Sequence, residues 1–148
     1  MTQSEHGDLS VAKDLLAASD VLDSAAQAIT DLKASLLSDQ TEVFVQIIDC
    51  LSAVTGRVIL TGMGKSGYIA RKIAATMAST GTLASYVHPG EAAHGDLGMI
   101  STHDAVIAIS NSGETAELTE IIDYAKRFAI PLIGLTSKRD STLGDRGD

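Results

Sequence analysis

Apolar residues recur at helical spacing through the first quarter of the chain. Leu15, Leu16, Ala18, Leu22, Ala25, Ala26, Ile29, Leu32, Leu36 and Leu37 predict a long amphipathic helix over 10–37. Ser38-Asp39-Gln40-Thr41 breaks the pattern. Thr41 can cap a second helix over 42–54, with Phe44, Ile47, Ile48, Leu51 and Val54 on one face and Gly56 at its end. The pattern then changes. Continuous apolar runs at 57–61, 83–87, 105–109 and 131–135 alternate with helical patterns over 66–80 and 115–128. Strands that are apolar on both faces belong to a parallel sheet covered on both sides. The expectation is an α/β domain, three-layer αβα, with about four parallel strands preceded by two N-terminal helices. Residues 1–39 form the helical segment and 40–148 the α/β domain. Residues 88–98 read as a loop with a short turn.

The polar tail, 136–148, stops where another βα unit is expected. Strand four would then be an uncovered apolar edge. The expectation is that the chain is truncated or that a partner covers that edge.

Two strand ends carry the chemistry. Thr61-Gly62-Met63-Gly64-Lys65-Ser66-Gly67 follows the first strand, and Ser110-Asn111-Ser112-Gly113-Glu114-Thr115 follows the third. Each opens a helical pattern. A strand, a turn of small residues and a helix start aim backbone N–H groups and hydroxyls at one point, where the helix dipole favours an anion. Two such turns suggest a phosphorylated ligand at the carboxyl edge of the sheet.

Composition narrows the classes. The 148 residues fit one domain with a core, and 45% are apolar. Eleven basic against nineteen acidic residues leave a net charge of −8, which argues against nucleic acid as a partner of the bulk surface. A local anion site remains open, because backbone dipoles and one lysine can make it. Cys50, the single cysteine, reads as a buried inert thiol. No apolar run reaches about 18 residues, and residues 1–10 lack a signal-peptide core, so no membrane partner and a cytoplasmic location are expected.

Better-known phosphate motifs fit poorly. Gly62-x-Gly64-x-x-Gly67 matches the dinucleotide fingerprint, but Tyr86-Val87-His88-Pro89 supplies no acid for a ribose. A P-loop would need glycine where Ile59 stands. A tight turn with Lys65 in solvent explains the first motif equally well. In the second turn, Ser112 can act as a helix N-cap, and capping and phosphate binding can coexist. Glu117, one turn further, lies near the same mouth, where an isolated acid commonly complements the helix dipole. The segment His88-Pro-Gly-Glu-Ala-Ala-His94-Gly-Asp-Leu-Gly98 packs two histidines and two acids into a connection. It can serve acid–base chemistry or hydrogen-bond to itself. His6 and His103 read as surface residues.

Together these three segments resemble the sugar isomerase (SIS) domain, and within it the arabinose-5-phosphate isomerases of the KpsF/GutQ type. The His88–Gly98 segment is the specific part of the likeness. The resemblance implies a flavodoxin-like sheet and reversible conversion of D-ribulose 5-phosphate to D-arabinose 5-phosphate, a step toward the lipopolysaccharide sugar Kdo. It implies no cofactor and a homo-oligomer, dimer or tetramer. By the same resemblance, Lys65 and Glu117 match catalytic positions, and His88, His94, Gly81 and Thr82 match substrate contacts. From the two turns themselves, Ser66, Ser110, Asn111, Ser112 and Thr115 join them as candidate substrate-binding residues. His88 is also a position for inhibitory zinc. An enediolate isomerisation needs a carboxylate or imidazole to carry the proton and a donor for the oxyanion. In that scheme Glu117 is the base, Lys65 stabilises the oxyanion and the Ser110–Thr115 turn holds phosphate.

The likeness stops short of the family's full length. Such proteins continue with a fifth strand, further helices, a second catalytic Glu, a His in a His-Pro-Gly-Gly-like segment and usually two CBS domains, none of which occurs in these 148 residues. Three alternatives follow: a phosphosugar sensor without catalysis, an isomerase for another phosphosugar, and a remnant that associates through the long helix and open edge.

Overall fold

A computed structural model describes residues 3–92 and 95–147, with side chains from Val11 onward. His94 and the side chain of His6 therefore lie outside the described residues. Two helices come first, α1 (Gln3–Leu36) and α2 (Thr41–Ala53). Contacts divide the chain within α2, into Met1–Gln46 and Ile47–Asp148.

In the first unit the apolar stripe of α1 is largely exposed, with Leu15, Leu22 and Ile29 at 67%, 70% and 70%. Its end, with Phe44, lines an apolar groove of about 460 Å³. Thr41 does not cap α2 with its side chain as expected. Its hydroxyl donates to Leu36 O at 2.8 Å, closing the preceding turn.

The second unit is a parallel sheet of β1 (Val58–Gly62), β2 (Ala84–Tyr86), β3 (Ala105–Ile109) and β4 (Leu132–Leu135), in the order β2-β1-β3-β4. Alternate residues of β1 leave for opposite faces, as a pleated strand requires. Val58 and Leu60 pack with Ala70 and Ala74 of α3 (Gly64–Ser79) and with Leu51. Ile59, Val106 and Leu132 pack with Ile121, Ile122 and Ala125 of α5 (Thr119–Arg127). All five residues of β1 are buried. These two clusters make the middle layer and the two helical layers expected from the apolar runs. Cys50 is only partly buried, against the expectation of a buried thiol.

The expected helix over 115–128 starts differently. Thr115 is extended, a 3-10 turn covers Ala116–Leu118, and α5 follows. Its other end is a Schellman turn: Ile130 N–H donates to Ala125 O at 2.8 Å and Ala129 N–H to Lys126 O at 3.3 Å. The turn places Ala129 at φ 51°, in the left-handed region that favours glycine. Ala129→Gly is therefore expected to raise unfolding stability by about 0.5–1 kcal/mol. Urea titration checks this, and an unchanged or lower midpoint contradicts it.

The tail is not a loose polar end. Ser137 and Thr136 reach back to the 110–115 turn, and α6 (Thr142–Arg146) follows, with Leu143 fully buried in the α5-side cluster. Leu132 O and Gly134 N lie on the side of β4 away from β3, because Pro131 and Leu135 carbonyls accept from β3. A Cβ on Gly147 would stand 3.5 Å from Gly134 N and 3.8 Å from Leu132 O. The expected bare edge of β4 thus has the end of α6 beside it.

Candidate functional site

The sheet order places its switch point between β1 and β3, since the chain leaves β1 for β2 on one side and returns to β3 on the other. Gly62 pairs with Ile109, so the two small-residue turns begin side by side at the carboxyl edge. Neighbouring strands lie about 4.8 Å apart, close enough for both turns to address one ligand group.

The first turn leads into α3, a helix of 16 residues whose N-cap, Met63, makes no side-chain capping bond. The helix N-terminus is therefore left for solvent or a ligand. Lys65 is exposed and Ser66 partly buried in the first turn of the helix. Tyr86 Oη donates to Gly62 O at 2.9 Å, and the Arg71 guanidinium lies 4.2 Å from the Tyr86 ring centre. A Cβ on Gly67 would come within 2.6 Å of Gly62 O, so only glycine allows the strand and helix to approach this closely. Thr61, wholly buried just before the turn, has a hydroxyl without a hydrogen-bond partner among the described residues.

The second turn is tied together internally. Ser110 Oγ and Thr115 Oγ1 are 2.7 Å apart, and Gly113 N–H donates to Ser110 Oγ at 3.1 Å. Ser112 does not act as a helix N-cap, the alternative its position offered. Its Oγ accepts from Glu114 N–H at 3.2 Å, a local turn within the loop. Asn111 and Ser112 are exposed, and Glu117 is exposed in the 3-10 turn beyond. Glu114 points elsewhere: its carboxylate accepts from Thr142 N–H and Thr142 Oγ1 at 2.8 and 2.6 Å. Those bonds, the hydroxyl's first, hold its carboxyl below the usual Glu range.

His88 follows β2 and is partly buried, edge-on to Tyr86 at 6.4 Å between ring centres. With Gly64, Gly67, Tyr68, Arg71 and Tyr86 it lines a cavity of about 230 Å³. Sequence reading missed Tyr68, Arg71 and Tyr86. For Tyr68 and Arg71 the legible signal was spacing, since positions 64, 67, 68 and 71 share one helix face, though not what that face meets; Tyr86, on β2, gave no such signal.

Gly81 and Thr82 are not brought to this mouth. They follow α3 at the opposite edge, just before the residue whose carbonyl, Leu83 O, accepts from Val58 N. A 16-residue helix is about 24 Å long, which separates them from Lys65. Among the described residues, no group of three or more His, Cys, Asp and Glu side chains could hold a metal ion; His94 lies outside them. No helix of the described residues is long and apolar enough to cross a membrane.

The geometry defines a class: a doubly covered parallel α/β domain with paired small-residue turns at its switch point. The SIS domain profile matches residues 52–148, and the chain belongs to the SIS domain family. It is similar to the arabinose 5-phosphate isomerase KdsD of Salmonella typhi, 45% identical over 132 residues, which are 89% of this chain and 39% of the relative. An uncharacterized protein of Rickettsia prowazekii is 50% identical over 128 residues, 86% of this chain and 39% of the relative. Among solved structures, an E. coli CFT073 protein in complex with arabinose 5-phosphate superposes with a TM-score of 0.71 at 44% identity, covering 78% of this chain and 61% of that one. The chain spans about two fifths of the length of these curated relatives.

Proposed function

We propose that this chain binds a pentose phosphate between its two turns and takes part in interconverting D-ribulose 5-phosphate and D-arabinose 5-phosphate. The observation that carries this reading is the pairing of Gly62 with Ile109, which starts both turns at the switch point. The similarity to KdsD and to a structure holding arabinose 5-phosphate supports it.

In this reading Ser110, Asn111, Ser112 and Thr115 hold the phosphate with hydroxyl, amide and backbone donors. Lys65 stabilises the oxyanion that develops as the carbonyl moves between C1 and C2, and Ser66 assists. Glu117 carries the proton between those carbons. His88 and His94 contact the sugar. Gly81 and Thr82 reach such a site only from a second copy, and the exposed stripe of α1 offers a surface for a dimer or tetramer.

An isomerase assay with ribulose 5-phosphate tests the reading. Glu117→Gln should lower kcat about a hundredfold or more, as loss of a general base does. Turnover by Glu117→Gln at the parent rate would remove Glu117 from that role. A second reading is a phosphosugar-binding module without catalysis, for which the two paired turns alone suffice. Binding of arabinose 5-phosphate with no turnover by the 148-residue chain would select it.

A further inference from the structure

We propose that segment 136–144 sets the shape of the Ser110–Thr115 turn, with Glu114 as a positioning residue that faces this segment and not the ligand. The proposal rests on the reading of that turn as the phosphate holder.

A carboxylate inside a phosphate-binding turn would repel its ligand if it pointed inward. Glu114 is turned away instead, engaging both oxygens with Thr142, where N–H and hydroxyl bonds to a carboxylate are of the strong, charge-assisted kind. The rest of the turn is fixed from the same side. Leu143 N–H donates to Gly113 O at 3.0 Å, and Ser137 donates to Asn111 O through N–H at 3.2 Å and Oγ at 2.7 Å. Ser141 is buried against Gly113, donates to Lys138 O at 2.6 Å and accepts from Gly144 N–H at 3.2 Å. Leu143 anchors the segment in the core. Residues 111, 113 and 114 are thus each held by a residue of 137–143. A turn shaped before the ligand arrives loses less conformational entropy on binding.

The test compares Glu114→Ala, Glu114→Gln and Asp123→Ala. Asp123 pairs with Arg146 at the far end of α6, so its loss reports on the anchoring of α6. The first readout needs no ligand: amide hydrogen exchange at Gly113 and Leu143. Glu114→Ala should speed both about tenfold or more, Glu114→Gln less, since one amide oxygen still accepts from Thr142, and Asp123→Ala should leave Gly113 unchanged. Gly113 exchange at the parent rate in a folded Glu114→Ala protein would overturn the proposal.

The second readout is affinity for arabinose 5-phosphate by calorimetry. Glu114→Ala should weaken it about tenfold, with Glu114→Gln restoring most of it and Asp123→Ala at the parent value. An unchanged affinity in Glu114→Ala would also overturn the proposal. A parent that fails to bind arabinose 5-phosphate contradicts the phosphate reading, while the exchange data still decide whether the segment shapes the turn.

Discussion

Gly113→Ala is expected to lower the melting temperature steeply and to abolish binding of arabinose 5-phosphate. Two costs add. Gly113 has φ 70°, where an L side chain costs about 1 kcal/mol. The added Cβ would also stand 1.9 Å from Ser141 Oγ and 2.5 Å from its Cβ. Ser141 is buried and holds two bonds of its own, so it cannot swing aside freely. Overpacking of this kind costs about 1–3 kcal/mol more. A total of about 2–4 kcal/mol in a unit of this size lowers Tm by roughly 10–25 °C. Gly64→Ala separates the two causes. Its φ is 54°, yet nothing lies within 4 Å of the added Cβ, so it should cost only the backbone term of about 1 kcal/mol. Equal losses in the two variants, read by thermal denaturation, would refute the clash with Ser141.

The second large effect lies at the other edge of the sheet. Asp104, just before β3, has a side chain only 2% exposed, and a buried carboxylate needs partners. It has them: Arg57 N–H donates to Oδ1 at 2.6 Å, Ser101 N–H to Oδ2 at 2.7 Å, and the Arg57 guanidinium lies 3.9 Å away. Burial pushes its carboxyl upward. The bonds from Ser101 and Arg57 and the Arg57 charge outweigh that and leave it below the usual Asp range. Asp104→Ala takes the acceptor from two part-buried N–H groups and from the Arg57 guanidinium and should cost about 2–3 kcal/mol. Asp104→Asn keeps one acceptor oxygen and should lose less. Because the folded-state value is lowered, the contribution is full above the unfolded value of about 3.9 and is lost as pH falls through the folded one. The gap in unfolding free energy between parent and Asp104→Ala should therefore be large at neutral pH and shrink in strong acid. A gap that stays constant with pH would show that Asp104 does not act through its charge.

Most of the sheet was legible because its strands are buried on both faces and so read as unbroken apolar runs. The carboxyl-edge turns were legible for a related reason: glycine and serine directly after such a run have few other uses. The α6 segment was not. Lys138-Arg139-Asp140-Ser141-Thr142-Leu143 contains one apolar residue, too few for a period, although Ser141 before Leu143 is a cap signal of the ordinary kind. The direction of Glu114 was illegible as well, since it depends on α6 being there. Gly81 and Thr82 came into the reading through resemblance alone. The run of α3 back across the sheet sets them at the far edge, a consequence of topology that no local pattern contains. His88 was brought to the carboxyl edge as the loop after β2 requires, while Arg71 and Tyr86 gained their place only when helix and strand were packed together.

The central claim is that two turns, paired across β1 and β3, form one phosphosugar site. Backbone amide shifts recorded during titration of the 148-residue chain with arabinose 5-phosphate test it residue by residue. The account predicts saturable shifts concentrated in 61–67 and 110–115, abolished by Gly113→Ala and absent with unphosphorylated arabinose. Saturable shifts confined to one turn, or located away from both, or no response at millimolar arabinose 5-phosphate, would contradict it.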